Sequence, residues 1–316
     1  MLGLVLHDLR PGDAAAIAEL HVANTDADGL DVHSTVAPIP TETGVENAAA
    51  SADRFWVAET DRRKLVGWGS LRSWSEDDGT QVFLTDGYVA PGFRRSGAAT
   101  RLLREAEDAA SAVFAAGSGA GIAVLGGNAS TMQPDREALL LRNGYAPVFA
   151  MVEMELRAAP DIAPALPDGA AVRAARVADA AELIALTRRV WAGRPYFASP
   201  TVADFRGWLG RSDLSLFRVM TVESRIVAFV AARHDAMRAE IEDVQVDPEF
   251  QRRGFASALL AATLTVLAER NAGPVRLRTE SHDPAGARSL YEHLGFGVVG
   301  EYRRYRKPLT RARHAA

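Results

Sequence analysis

No cysteine occurs anywhere in the 316 residues. That single absence excludes disulfides, thiolate metal sites and a cysteine nucleophile. It fits a reducing compartment, so a cytoplasmic location is the expectation. Aromatic residues are sparse, at 7%, and no run approaches the roughly 20 apolar residues that a membrane-spanning helix needs. Residues 1–8 form a short apolar run without a basic flank, which reads as a strand and not as a signal peptide. Charge of either sign is not in excess: 36 Lys and Arg face 40 Asp and Glu, for a net charge of −4. Such a balance lacks the basic footprint of a nucleic-acid binder. Seven histidines are scattered without metal-ligand spacing. Nucleic acid, membrane and metal are therefore not expected as partners.

What is present is ordinary for a globular protein, with 48% hydrophobic and 24% charged residues. The length is comfortable for two domains. One stretch organises the rest. Residues 244–256 read Val-Gln-Val-Asp-Pro-Glu-Phe-Gln-Arg-Arg-Gly-Phe-Ala, a strand ending at Asp247-Pro248, a tight basic loop, and a helix beginning near Ala256. Helix starts leave backbone N–H groups unpaired and carry the positive end of the helix dipole, so a loop of this kind suits phosphate. Gly254 admits positive φ and close approach of a ligand, and Ala256 keeps the first turn slim. Gln251, Arg252 and Arg253 add side-chain donors.

The stretch has a counterpart. Residues 89–99 match 246–256, with an offset of 157 residues both from Pro91 to Pro248 and from Gly97 to Gly254. A period this long means duplicated domains, since solenoid repeats run roughly 20–50 residues. Each half reads β-α-β-β-β-α-β-α-β. Short strands at 4–7 and 171–173 precede helices starting near Asp13 and Asp179. Hairpins follow at 55–59 with 65–71 and at 216–222 with 226–232. The helix after each basic loop carries an apolar face: Leu103, Ala106 and Ala110 in one half, Leu260, Leu264, Leu267 and Ala268 in the other. Each half closes with a strand, a short helix capped by Gly144 or Gly295, and a last strand. Three prolines and a glycine make 158–170 a linker. The expected domains are thus 1–157 and 171–316.

At these residues the chain resembles the GNAT superfamily of acyl-CoA-dependent N-acetyltransferases. Gln251, Gly254 and Ala256 match that family's phosphate loop, and Leu290-Tyr291 with Gly295-Phe296 matches its downstream segment. The tandem plan also resembles the mycothiol synthase group, which acetylates a cysteinyl amine on a sugar conjugate. The resemblance implies an α/β fold of two tandem GNAT-like domains, each a mixed, mostly antiparallel sheet flanked by helices. It implies acetyl-CoA as co-substrate, a small-molecule amine as acceptor, with an amine antibiotic or a protein N-terminus equally compatible, and a monomer or homodimer.

It also implies roles. Val244, Gln245 and Val246 would offer backbone to the pantetheine and thioester, although both valines also read as buried strand residues. Gln251 to Ser257, with Phe255 among them, would hold the pyrophosphate; the plainer reading is an exposed basic turn. Tyr291 would protonate the departing thiolate, suited to it by an ordinary phenol pKa near 10; otherwise it is a half-buried packing residue at the edge of an apolar face. Asp283 is either an N-cap, followed by Pro284, or a cofactor contact. For the general base, Glu240 and Glu242 share one strand face and Asp243 the other, unless a bulge shifts the register. Glu280 and His282 are weaker alternatives.

In the first half, Val89, Arg94, Arg95, Ser96, Gly97, Ala98 and Ala99 preserve the loop. Leu140 stands where the second half has Tyr291, and Phe83 and Thr85 replace Glu240 and Glu242. Only Asp86 keeps its counterpart, Asp243. Catalysis is therefore expected in the second half. The first half either binds a CoA-type ligand or supports the fold, with Tyr88 and Tyr145 as alternative acids. A CoA-binding module without catalysis is the competing reading from another class.

Overall fold

The computed structural model describes residues 3–117, 121–158, 165–235, 239–282 and 286–309. It divides into two compact units, Met1–Ala150 with Tyr302–Ala316, and Met151–Glu301. In the first, β1 (Leu4–His7), α1 (Asp13–Asp28), α2 (Glu42–Ser51), β2 (Arg54–Thr60), β3 (Leu65–Ser75) and β4 (Gln81–Val89) lead to α3 (Ala98–Ala116), β5 (Ala123–Ser130) and α4 (Pro134–Arg142). After β6 (Ala146–Leu156) the order repeats: β7 (Ala170–Ala174), α5 (Ala180–Trp191), α6 (Val202–Arg211), β8 (Arg218–Val222), β9 (Arg225–His234), β10 (Ala239–Val246), α7 (Phe255–Glu269), β11 (Val275–Glu280), α8 (Ala287–His293) and β12 (Gly297–Pro308).

Strands β1 to β4 pair antiparallel in sequence order, and β4 then runs parallel to β5. The second unit repeats this with β7 to β10 and β11. The sixth strand of each unit comes from the other half of the chain. Residues Tyr302 to Pro308 of β12 pair with β5, and Met151 to Leu156 of β6 pair with β11. The compact units therefore part from the boundaries drawn at 157 and 171, which gave each half its own last strand. Antiparallel pairing asks only for a free edge and a strand of fitting alternation, and both last strands have that. Of the linker 158–170, residues 159–164 lie outside the described residues.

Outside the repeated pattern each half holds one helix, α2 or α6, in the stretches 25–52 and 191–212 that the sequence reads as helix and loop. Threonine caps both: Thr41 accepts from Gly44 N and Thr201 from Asp204 N. Period-two alternation sends the residues of β2 into separate clusters of the first unit's core. Phe55 and Val57 of β2 pack with Ile17 and Leu20 of α1 and Val45 of α2. Trp56 faces the other way, toward Leu103, Ala106 and Ala110 of α3. The second unit has one continuous core. There α7 buries a wider surface than a single stripe, including Ala258, Leu259 and Thr263, whereas Ala268 is exposed.

Candidate active site

In each unit the parallel pair parts company half-way. The ladder between β4 and β5 runs to Leu84 and Gly126, and that between β10 and β11 to Ile241 and Leu277. The same 157-residue offset separates Leu84 from Ile241. Beyond these points β4 continues on β3 alone and β10 on β9 alone. A cleft opens between the parted strands, and the basic loop lies at its end. Arg95 and Gly97 have φ 63° and 91°, and Arg252 and Gly254 have 61° and 85°. Paired left-handed residues turn successive N–H groups into one concavity, an anion-binding form, immediately before the first turn of α3 or α7.

In the second unit the polar groups of the loop are mostly engaged in shaping it. Gln251 Nε2 donates to the carbonyl of Val246 at 3.1 Å. The Arg253 guanidinium stacks over Phe250 and Phe255 at 5.3 and 5.7 Å. Asp247, 1% exposed, accepts from Arg189 Nε at 2.9 Å, a terminal nitrogen of Arg225 at 2.6 Å and Glu249 N at 3.2 Å. Burial alone would raise its pKa, but these donors hold it below the usual carboxylate range.

The acids of β10 separate sharply. A β-bulge falls between Ile241 and Asp243 and leaves Glu242 as the extra residue. Glu240 is 2% exposed and clasped by Arg233 at 2.7 Å and Arg278 at 3.0 Å. Glu242 is solvent-facing, with Arg233 Nε at 3.3 Å. Among the described residues Asp243 has no guanidinium partner; it accepts from Gln245 Nε2 at 2.6 Å, and Gln245 in turn accepts from Thr187 of α5 at 2.9 Å. Burial pushes the Asp243 carboxyl up to about 6, the range in which a carboxylate works as a base at neutral pH.

In the first unit the cleft encloses a cavity of about 670 Å³, with Asp86, Tyr88, Arg95, Gly97 and Leu140 in its wall. This is the size of a cofactor pocket. A second cavity of about 260 Å³ shares Trp68, Asp86, Tyr88, Gln133 and Arg136 with it. Arg136 pins the parted strands: it donates to Asn128 O at 2.6 Å, Gly87 O at 2.9 Å and Asp86 Oδ1 at 2.6 Å. Arg94 reaches Asp28 and Asn24, each at 2.5 Å. Burial raises the pKa of Tyr88 and of Tyr145, so both phenols stay protonated.

A model of the acetyltransferase (GNAT) family matches the chain twice, over residues 25–120 and 181–296. The chain belongs to this family. The mycothiol acetyltransferase of Actinosynnema mirum is 28% identical over 316 aligned positions, spanning 94% of this chain and 96% of that protein. That of Clavibacter sepedonicus is 33% identical over 147 residues, 44% of this chain and 47% of the relative. For this and two similar relatives, the match spans about half of their length. Among solved structures, a GCN5-related N-acetyltransferase from Sphaerobacter thermophilus superposes with a TM-score of 0.80 at 21% identity, over 97% of this chain and 96% of that one. That likeness is one of fold, and it extends to the tandem arrangement.

Within this GNAT framework, the structure places Val244 to Val246 along the parted strand and Gln251 to Ser257 around the left-handed loop, with Arg94 to Ala99 as their counterparts. Tyr291 is 6% exposed and packs edge-on to Phe296 at 6.0 Å. It is more enclosed than Leu290, although helical spacing put it at the edge of the apolar face. Asp283 and Pro284 lie outside the described residues. Of the three β10 acids, Asp243 alone has an acidic counterpart, Asp86, in the other half.

Proposed function

We propose that the chain moves an acetyl group from acetyl-CoA to a primary amine of a small molecule, with the chemistry in the second unit. The observation that carries this reading is Asp243, a carboxyl raised to about 6 at the parting of β10 and β11, where a bulge present in β10 re-aims the strand. The register of β4 on β3 runs without such a shift. Bulges recur beside active sites for this reason.

The parts act as follows. The loop from Gln251 to Ser257 holds the pyrophosphate of the co-substrate through backbone N–H groups and the helix start. The backbone of Val244 to Val246 orients the thioester. The amine attacks the thioester carbonyl; an N–C bond forms and the C–S bond breaks. Asp243 takes the proton that the amine releases, and Tyr291 supplies the proton that converts the thiolate to thiol. Glu240 and Glu242 hold Arg233 beside the strand instead of acting as the base.

Two variants test the assignment. Asp243→Asn lowers kcat/KM by a factor on the order of 10² or more and abolishes the acid limb near pH 6. Tyr291→Phe lowers kcat at saturating acetyl-CoA. Unchanged rates across the pH range for both variants would remove the second unit from the chemistry.

The relatives named mycothiol acetyltransferases, one of them matched over 94% of this chain, favour a particular acceptor: the cysteinyl amine of a sugar conjugate. Turnover with such a conjugate, compared with simple alkylamines, decides between it and a broader amine specificity.

A further inference from the structure

A short polar chain runs from Asp243 into the second unit. Gln245, 2% exposed, stands two residues further along β10, and Thr187, 4% exposed, reaches it from α5. Gln245 Nε2 donates to Asp243 Oδ2 at 2.6 Å, and Thr187 Oγ1 donates to Gln245 Oε1 at 2.9 Å. The same hydroxyl lies 3.0 Å from the carbonyl of Leu183, one helical turn back. A carboxylate can only accept, so the amide must turn its NH2 to Asp243 and its carbonyl to the hydroxyl. The hydroxyl must then donate. All the bonds run in one direction, and each orients the next.

The fold does not require this chain. Backbone bonds pair β10 with β9 whatever side chain stands at 245, and a buried amide costs free energy unless it is bonded. The duplication makes the point directly. Tyr88 stands at the place of Gln245, with the offset of 157. Asp13 and Asp179 accept on Oδ2 from the N–H groups of Arg10 and Arg176 at 2.7 and 2.8 Å, so α1 and α5 correspond. The offset of 166 from Asp13 to Asp179 then sets His21 at the place of Thr187. In the first copy two rings, 4.7 Å apart, replace the hydroxyl and the amide. Its acid, Asp86, is met instead by the Arg136 guanidinium at 2.6 Å. Counted back from Gly144 and Gly295, the place of Arg136 is taken by Ala287. One copy gives its acid a cation and the other a neutral donor.

We propose that Gln245 and Thr187 are positioning residues of the second unit: they hold one oxygen of the Asp243 carboxyl through a neutral donor, and Ala287 withholds the cation that its counterpart supplies. The charges on the surrounding elements are engaged elsewhere. Arg233 of β9 pairs with Glu240 and Glu242, Arg278 of β11 with Glu240, and Arg189 of α5 with Asp247. Burial raises the Asp243 carboxyl, the Gln245 amide and the Val244 N–H bring it part of the way back, and the charge of Glu242 adds a smaller rise. A guanidinium in place of the amide would favour the ionised form much more strongly.

The proposal rests on the reading of Asp243 as the base, but its test follows the carboxyl itself, so the two can fail apart. The full chain is labelled with carbon-13 in its aspartate carboxyls and titrated, the Asp243 signal being assigned by its loss in Asp243→Asn. The pH profile of kcat/KM is recorded beside it. Gln245→Leu removes the donor and keeps the bulk; it moves both the titration midpoint and the acid limb up by roughly one pH unit and lowers kcat/KM by roughly tenfold. Thr187→Val frees the amide and moves both in the same sense, so it reads the same point should the first variant not fold. Thr187→Ser keeps the wild-type midpoint. Ala287→Arg moves the midpoint the other way. A midpoint unmoved by Gln245→Leu and Thr187→Val overturns the proposal even if activity falls, because a packing residue lowers activity without touching the titration. An acid limb that persists in Asp243→Asn removes the base reading instead, and the positioning role still stands or falls on the midpoint.

Discussion

Asp243→Asn should make the protein less active and more stable. A carboxyl raised from its ordinary 3.8 to about 6 binds its proton about 3 kcal/mol more tightly in the folded chain than in the unfolded one. Between those two pH values the native state carries the extra proton, so stability falls as pH rises through the window and stays lower above it. Asparagine never ionises, and its carbonyl can still accept from Gln245, whose amide lies 2.6 Å from the carboxylate. At pH 7.5 the variant should therefore gain up to about 3 kcal/mol, and near pH 4 the gain should have nearly vanished. The comparison must be made as wild type against variant at each pH. His21 is lowered from 6.5 to about 4 by burial, so its contribution to stability rises with pH over nearly the same window and opposes that of Asp243. Urea midpoints between pH 4 and 8, with slopes checked for constancy, supply the measurement. A difference that does not vary with pH, or a variant destabilised throughout, would refute the buried carboxylate. Stability lost to an ionised buried acid is the sort of cost that active sites carry.

Three further outcomes are expected. Gly254→Val should weaken acetyl-CoA, read as a raised KM, because φ 85° is strained for a β-branched residue by about 1–3 kcal/mol. A Cβ there meets nothing within 4 Å, so Gly254→Ala should do less harm. Arg136→Met should lower the denaturation midpoint by an amount equivalent to about 1–2 kcal/mol, since it removes the donor to two carbonyls and the cation beside Asp86. Tyr291→Phe, 6% exposed and packed on Phe296, should leave stability within about 1 kcal/mol of wild type while kcat falls; a variant that loses both equally would make Tyr291 a packing residue.

Much of the fold was legible because its signals are local. The strand, the basic loop and the helix of residues 244–256 follow from short-range chemistry: an Asp-Pro strand end, a glycine that accepts a left-handed φ, and an apolar helical stripe. Both copies adopt that form, with Arg95 and Arg252 as well as the two glycines in the left-handed region. The stretches 25–52 and 191–212 were legible as helix and loop but not the bounds of α2 and α6, which the threonine caps Thr41 and Thr201 set within polar segments. The facing of the β10 acids was not legible for a different reason. A period of two holds only while the ladder is regular, and one extra residue, Glu242, resets every face that follows it.

The sequence by itself determined that the chain is a duplication, where its two basic loops lie, and which residues of the first copy depart from the second. These properties need only comparison of one stretch with another and the backbone preferences of a few residues. Tertiary structure alone decided that β12 completes the first sheet and β6 the second, because a strand's alternation specifies its faces but not its partner. It also decided which acid of β10 has no guanidinium partner among the described residues, and that Phe55, Trp68, Tyr88 and His21 meet around one cavity. Burial and desolvation are properties of neighbours distant in the chain, and they set both the Asp243 carboxyl and the His21 imidazole.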